Sequence, residues 1–233
     1  MRSFINRFAV RAAGRMSKVQ RDNTIAMQYA YSGRGEQVRR HLGGTSTYTL
    51  YDEAGHWVGD YDSLGSPIQQ AIWLDDLPVG VLAGTAAASN RLHYIEPDHL
   101  GTPRAVIEPQ RDVAVWSWDL ASEAFGNSDP NHDSDGDTAA FAFNMRFLGQ
   151  RHDAASDLNY NYFRDYEVSS GRYVQSDPAG LMGSISTYGY VSGSPLALID
   201  PYGLQDSSSP WQVGWEWLYR PKASRVHEWR SFC

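Results

Sequence analysis

The chain has 233 residues, with 27 Asp and Glu against 20 Lys and Arg and a formal net charge of −7. That length supports one large domain or two small ones with a sizeable core, and the acidic balance excludes a general nucleic-acid binder, which needs clustered Lys and Arg against phosphate. The one cysteine, Cys233, excludes an internal disulfide framework, and no stretch reaches the length of a transmembrane helix.

Residues 1–23 read as a basic N-terminal arm. The first 20 carry Arg2, Arg7, Arg11, Arg15 and Lys18 and no acid. Steps of four put Arg7, Arg11 and Arg15 on one helical face, a pattern that mimics an organelle presequence. The plainer readings are a mobile arm or a start codon within a longer gene. There is no apolar stretch of the secretory kind.

Residues 24–90 read as successive β-hairpins. Tyr31-Ser32-Gly33-Arg34-Gly35 is followed by Tyr51-Asp52-Glu53-Ala54-Gly55 and Tyr61-Asp62-Ser63-Leu64-Gly65. Between them, segments such as Thr45–Leu50 and His56–Tyr61 alternate with period two. In each unit Asp starts a turn by bonding its own backbone, Gly takes the positive φ and Tyr packs across strands. The small residues 83–90 read as a connector. The 14 Tyr, 8 Trp and 21 Gly of the whole chain suit the same architecture.

Beyond residue 90, strands are expected at Leu92–Ile95, Ala105–Ile107 and Val113–Trp118. Residues 127–138 form an acidic loop, 141–147 alternate again, and aromatics recur from 158 to 176. The spacing Asn131-x-Asp133-x-Asp135-Gly136 resembles the start of a calcium loop, but the twelfth position is Ala142 rather than Glu. A solvated acidic loop is expected there. The histidines show no zinc-ligand spacing. No metal or cofactor is expected.

One phrase occurs twice, as Asp177-Pro178-Ala179-Gly180-Leu181 and Asp200-Pro201-Tyr202-Gly203-Leu204, 23 residues apart. Taken alone, each is a good type I turn with Asp first and Gly fourth.

In order along the chain stand Asp98-His99-Leu100-Gly101-Thr102-Pro103-Arg104, Asn144-Met145-Arg146-Phe147-Leu148-Gly149-Gln150, Tyr160-Asn161-Tyr162-Phe163-Arg164-Asp165-Tyr166, Gly171-Arg172-Tyr173-Val174-Gln175-Ser176-Asp177-Pro178, and Pro195 through Leu204. This series resembles the RHS-repeat-associated core domain, over residues 91–204, and the upstream units resemble the YD repeats that precede it. The end motif, with Pro195, Pro201 and Gly203, is the most specific part. Departures are Leu148, Glu167-Val168, Ser184 and Ser194 where the family usually has Pro, Asp-Pro, Gly and Asn.

The resemblance implies a mainly β fold: antiparallel hairpins forming a curved sheet strip, with a core segment spiralling inward at the C-terminal end. It implies a self-cleaving aspartic protease that cuts between Leu204 and Gln205, with catalytic acids Asp177 and Asp200 and an assisting Arg164. It also implies a bacterial polymorphic toxin or toxin-complex shell, made in the cytoplasm and often delivered by type VI secretion. Expected partners are the chain's own C-terminal segment, residues 205–233, the remaining RHS shell and secretion-apparatus proteins, with no nucleic acid and no membrane span.

The residue chemistry agrees with that role. Two close carboxyls share a proton because both cannot ionise at short range. Arg164 can hold one acid ionised or meet a developing oxyanion. Pro after each Asp stiffens the turn, Gly203 allows close backbone approach, and a tethered substrate needs only modest catalysis. A few repeats are too few to close a shell, and the 29-residue tail, rich in Trp and Arg, is too short for a folded enzyme. A non-enzymatic shell segment with a structural, protein-binding or carbohydrate-binding role is therefore the alternative.

Overall fold

The structure, a computed structural model, describes residues 6–10, 14–83, 91–120, 123–180 and 186–208. Eleven strands form one antiparallel meander in sequence order: β1 (Asn6–Val10), β2 (Met16–Arg21), β3 (Thr24–Tyr31), β4 (Gln37–Leu42), β5 (Thr45–Tyr51), β6 (Trp57–Tyr61), β7 (Pro67–Leu74), β8 (Leu77–Ala83), β9 (Arg91–Pro97), β10 (Pro103–Glu108) and β11 (Val113–Ser117). Among the described residues β1 and β11 do not pair, so the sheet stays open. A second antiparallel sheet follows, of β12 (Arg151–Asp153), β13 (Leu158–Asn161), β14 (Arg164–Glu167) and β15 (Arg172–Tyr173). Among the described residues helix is confined to short 3-10 turns, such as that at Val191–Gly193.

The expected turn device recurs. Gly35, Gly55, Gly65 and Gly101 each donate N–H to the carbonyl three residues back, at 3.0–3.2 Å, from residues 32, 52, 62 and 98. All four glycines have positive φ, between 79° and 89°. Asp62 Oδ1 accepts the amides of Leu64 and Ser66, and Asp98 Oδ1 those of Leu100 and Thr102. Several pairings shift register by one residue next to these turns, as between Leu50 and Tyr51 or Asp60 and Tyr61. Such bulges add local twist to a strip of strands.

Two expectations need correction. The basic arm is strand rather than arm over much of its length. Arg7 lies in β1, and β2 buries Met16 and Val19. Arg15 donates to the carbonyl of Tyr162 and lies 4.4 Å from the Phe163 ring, so that side chain reaches the second sheet. Residues 1–5 and 11–13 of the arm, with Arg2 and Arg11, lie outside the described residues, as do connector residues 84–90. Residues 141–147 alternate in burial only as far as Met145 and make no ladder beyond a single bridge, Met145 to Arg151. Phe143 and Phe147 are instead held by side-chain packing against rings, Trp116 at 5.0 Å and Trp118 at 5.4 Å, rather than by ladder pairing.

The main core joins the two sheets. Trp57, Val81, Val106, Trp116 and Trp118 of the first part pack with Phe147, Tyr166, Tyr173 and Tyr190 of the second. A buried charge cluster bolts the sheets together. Asp60 Oδ2 accepts from Arg40 and from Arg151, each at 2.7 Å, while its Oδ1 takes Thr49 and the Trp57 indole. Burial works to raise the Asp60 carboxyl, but the two guanidiniums and these donors hold it below its ordinary value. Tyr29 adds a phenol donated to Asp153 at 2.6 Å.

Candidate functional site

The four residues of β13, all buried, bring the chain to the turn at Tyr162 and Phe163, and β14 then opens on Arg164. Pairing sets Asn161 opposite Arg164 and Tyr166 opposite Tyr173. The ends of three short strands thus place Asn161, Arg164 and Tyr173 side by side. Both copies of the repeated phrase fold against them.

Each copy is the turn expected of its sequence. Gly180 donates to the Asp177 carbonyl at 3.0 Å, and Gly203 to that of Asp200 at 3.3 Å. Asp177 Oδ1 accepts the Ala179 amide at 2.7 Å. Asp200 Oδ1 accepts the amides of Leu204 and Gln205, at 2.8 and 3.1 Å. Leu181, which ends the first copy, lies outside the described residues.

The two acids share one cation. Arg164 Nη2 is 3.1 Å from Asp177 Oδ2 and 3.0 Å from Asp200 Oδ2. The side chains of Arg164, Asp177 and Asp200 are 3%, 3% and 1% exposed, so the triad is cut off from bulk water. Arg164 also donates Nε to the Gly203 carbonyl at 2.6 Å and Nη1 to that of Thr187 at 3.2 Å. The same Thr187 carbonyl takes the Asp177 amide. Burial raises both carboxyls above the ordinary carboxylate range. At Asp177 the Ala179 amide and Arg164 offset part of that, and at Asp200 Arg164, the Leu204 and Gln205 amides and Tyr173 do so.

Other motif residues seat the Asp200 turn. Gly149 has φ +86°, and a Cβ there would stand 2.1 Å from the Pro201 carbonyl oxygen, so only glycine lets this turn close. At Gly203 a Cβ would stand 2.7 Å from the Asn161 carbonyl. Tyr202 donates its phenol to the Ala54 carbonyl at 2.5 Å, which rests the loop on a hairpin turn of the first sheet. Pro195 is buried at the head of a turn in which Leu198 donates to Ser194. Leu204 is half-buried and Gln205 exposed, so the bond between them sits at the rim. Just beyond it, Ile199 and Ser207 exchange two backbone hydrogen bonds of 2.8 Å each.

Two site residues escape the sequence reading. Tyr173 donates to Asp200 Oδ2 at 2.9 Å, and Asn161 Nδ2 contacts the Tyr173 oxygen at 2.6 Å. Both stand in motif strings, yet nothing local marks the carboxylate they serve. Elsewhere, Asp133, Asp135 and Asp137 each bring an oxygen within 4.8 Å of the others. Arg111 already supplies the positive charge there, 2.5 Å from Asp135 and 3.5 Å from Asp137.

Comparison with known proteins places the chain among relatives. Over 164 residues the chain is 33% identical to the double-stranded DNA deaminase toxin A of Burkholderia cenocepacia, covering 67% of this chain and 11% of that one. It is 33% identical over 111 residues to the probable deoxyribonuclease RhsA of Dickeya dadantii, covering 48% of this chain and 7% of the other. The chain carries an RHS-associated core. No family model matches it. The solved structure of TcdB2–TccC3 without its hypervariable C-terminal region superposes with a TM-score of 0.63 at 18% identity, over 85% of this chain and 10% of that one. That likeness shows that the core and its hairpins share the fold of a toxin-complex shell. The chain spans 11% and 7% of the length of the two toxin relatives. No helix among the described residues is long and apolar enough to cross a membrane.

Proposed function

We propose that this RHS core cleaves its own chain once, between Leu204 and Gln205, with Asp177 and Asp200 as the acid pair. The observation that carries the reading is the placement of Asp200. Its Oδ2 meets Asp177 through one guanidinium nitrogen, while its Oδ1 lies 3.1 Å from the Gln205 amide nitrogen, the leaving group of the proposed cut.

Water adds to the Leu204 carbonyl carbon. Asp200 takes the water proton, and Asp177 gives its own to the carbonyl oxygen. Collapse breaks the C–N bond, the proton on Asp200 passes to the Gln205 nitrogen, and Asp177 regains its proton from the hydroxyl. The products are a Leu204 carboxylate and a new amino terminus at Gln205. Residues 205–233, of which 209–233 with Trp211, Trp215, Trp217 and Trp229 lie outside the described residues, are then cargo of a polymorphic toxin or toxin-complex shell. The rest of that shell and a secretion apparatus would be the partners, and delivery into a target cell the destination.

One observation favours a second reading. The carbonyl that Arg164 Nε holds belongs to Gly203, one residue before the proposed cut. In a structural, non-enzymatic shell segment, the same triad is a latch that closes the core. Intact mass of the purified chain decides. Self-cleavage gives a species ending at Leu204, restored to full length in Asp177→Asn and Asp200→Asn. A wild-type chain that stays whole after folding leaves the latch.

A further inference from the structure

The acid pair is built asymmetrically. Asp200 receives four donors: Leu204 and Gln205 amides at Oδ1, and Arg164 and Tyr173 at Oδ2. Asp177 receives the Ala179 amide and a share of the same guanidinium. A carboxylate ringed by donors is stabilised in its charged form.

The direction of the Tyr173 proton follows from its neighbours. Asn161 Nδ2 lies 2.9 Å from the main-chain carbonyl of Asp200, which can only accept, so the amide must present its NH2 there. The second proton of that NH2 goes to the Tyr173 oxygen at 2.6 Å. With a lone pair so occupied, the phenol turns its own hydrogen to Asp200. Asn161 is fully buried, and its Oδ1 has no partner among the described residues. The amide is therefore held by what it donates, at the cost of an unsatisfied acceptor. The Tyr173 ring does separate work, lying 3.6 Å beneath the Arg164 guanidinium.

We infer that Tyr173, oriented by Asn161, is a positioning residue that fixes the negative charge of the pair on Asp200 and leaves the shared proton on Asp177. The inference rests on the proposed cleavage for its consequence, but the charge that Tyr173 holds on Asp200 can be measured without it. The ionisable groups around Asp200 are Arg164 from β14, Tyr173 from β15, Tyr190 from the core, and Asp177 and Asp206 from the flanking turns.

The first arm follows the Asp200 side-chain carboxyl by 13C NMR in the full chain carrying Asp177→Asn, which holds it uncleaved. Adding Tyr173→Phe keeps the ring under Arg164 and removes only the donor. The Asp200 midpoint is expected to rise by about one pH unit, and Asn161→Ala to move it in the same direction by less. Near-UV circular dichroism checks that each variant retains its aromatic core. An unmoved midpoint in a folded Tyr173→Phe chain overturns the inference.

The second arm measures cleavage by intact mass after dilution from urea, across pH 5–8. Tyr173→Phe should slow cutting by up to about tenfold, most toward the acid end, where protonation of Asp200 is favoured, and least near pH 8. A uniform slowing at every pH would mean a merely structural role and also overturns the assignment. A wild-type chain that never cuts, with Asp200 titrating as expected, removes the proposed protease and leaves Tyr173 as the residue that holds the charge on Asp200.

Discussion

The same Asp-x-x-Gly turn appears in two settings. At Asp52 and Asp98 it caps hairpins of the open sheet, with side chains 40% and 18% exposed. At Asp177 and Asp200 the side chains are 3% and 1% exposed and face one arginine. Local sequence sets the turn in both places, and the core decides whether its carboxylate is a cap near water or a buried partner of an arginine. The chemistry therefore belongs to what the second sheet wraps around the turn, above all Arg164 and Tyr173.

The largest expected contrast is in cleavage. Asp177→Asn and Asp200→Asn should abolish the 29-residue mass loss, a fall of about 10³-fold or more, whereas Asp62→Asn at a hairpin cap should leave it intact. Intact mass reads all three, and cutting by either core variant at the wild-type rate would end the comparison.

Next come the two arginines. Arg164→Gln leaves a pair of buried carboxyls without their cation and should cost about 3–5 kcal/mol by denaturant melts. Arg104→Gln, at the partly exposed Asp98 turn, should cost about 1 kcal/mol or less.

Glycines sharpen the contrast further. Gly65→Ala meets no atom within 4 Å, and its positive φ alone should cost about 1–2 kcal/mol. Gly149→Ala has the same backbone penalty plus overlap with Pro201, adding about 1–3 kcal/mol, and it should slow cleavage by moving Asp200. Equal melting losses for the two would mean that Pro201 yields freely.

A last effect concerns pH. Burial raises the Asp165 carboxyl, next to Arg164, from 3.8 to about 6, with Gln175 opposing. The folded state thus binds this proton more tightly than the unfolded chain. Its contribution is fully present below pH 3.8 and is lost as pH rises through about 6. Asp165→Asn should flatten the stability profile across that window and raise neutral-pH stability by about 2 kcal/mol. Urea melts at pH 4 and 7 test it, and an unchanged difference between the two would refute the assignment.

Much of this was legible in sequence. The Tyr-Asp units at 51–55 and 61–65 became hairpin turns because the Asp and Gly requirements are local. Arg164, Asp177 and Asp200 could be picked out only through their resemblance to a family, since nothing in their spacing encodes a shared guanidinium. The strands in the basic region were hidden for a physical reason. β2 buries Met16 and Val19, three apart, and β2 changes register against β3 after Val19, so period-two alternation is broken. Tyr173 and Asn161 look like ordinary strand residues, because their target lies 27 and 39 residues downstream.

The paired amides and carbonyls of Ile199 and Ser207 straddle the bond proposed to break. Ser192 adds a hydroxyl bond to Asp206 at 2.6 Å, on the same far side. Hydrolysis at Leu204 would therefore not by itself set anything loose. The severed piece would stay clipped in place like a torn stub still stapled to its page, and scission and departure would be separate events with separate triggers. On a native sizing column the cut and uncut chains should co-elute, and only denaturant should part them.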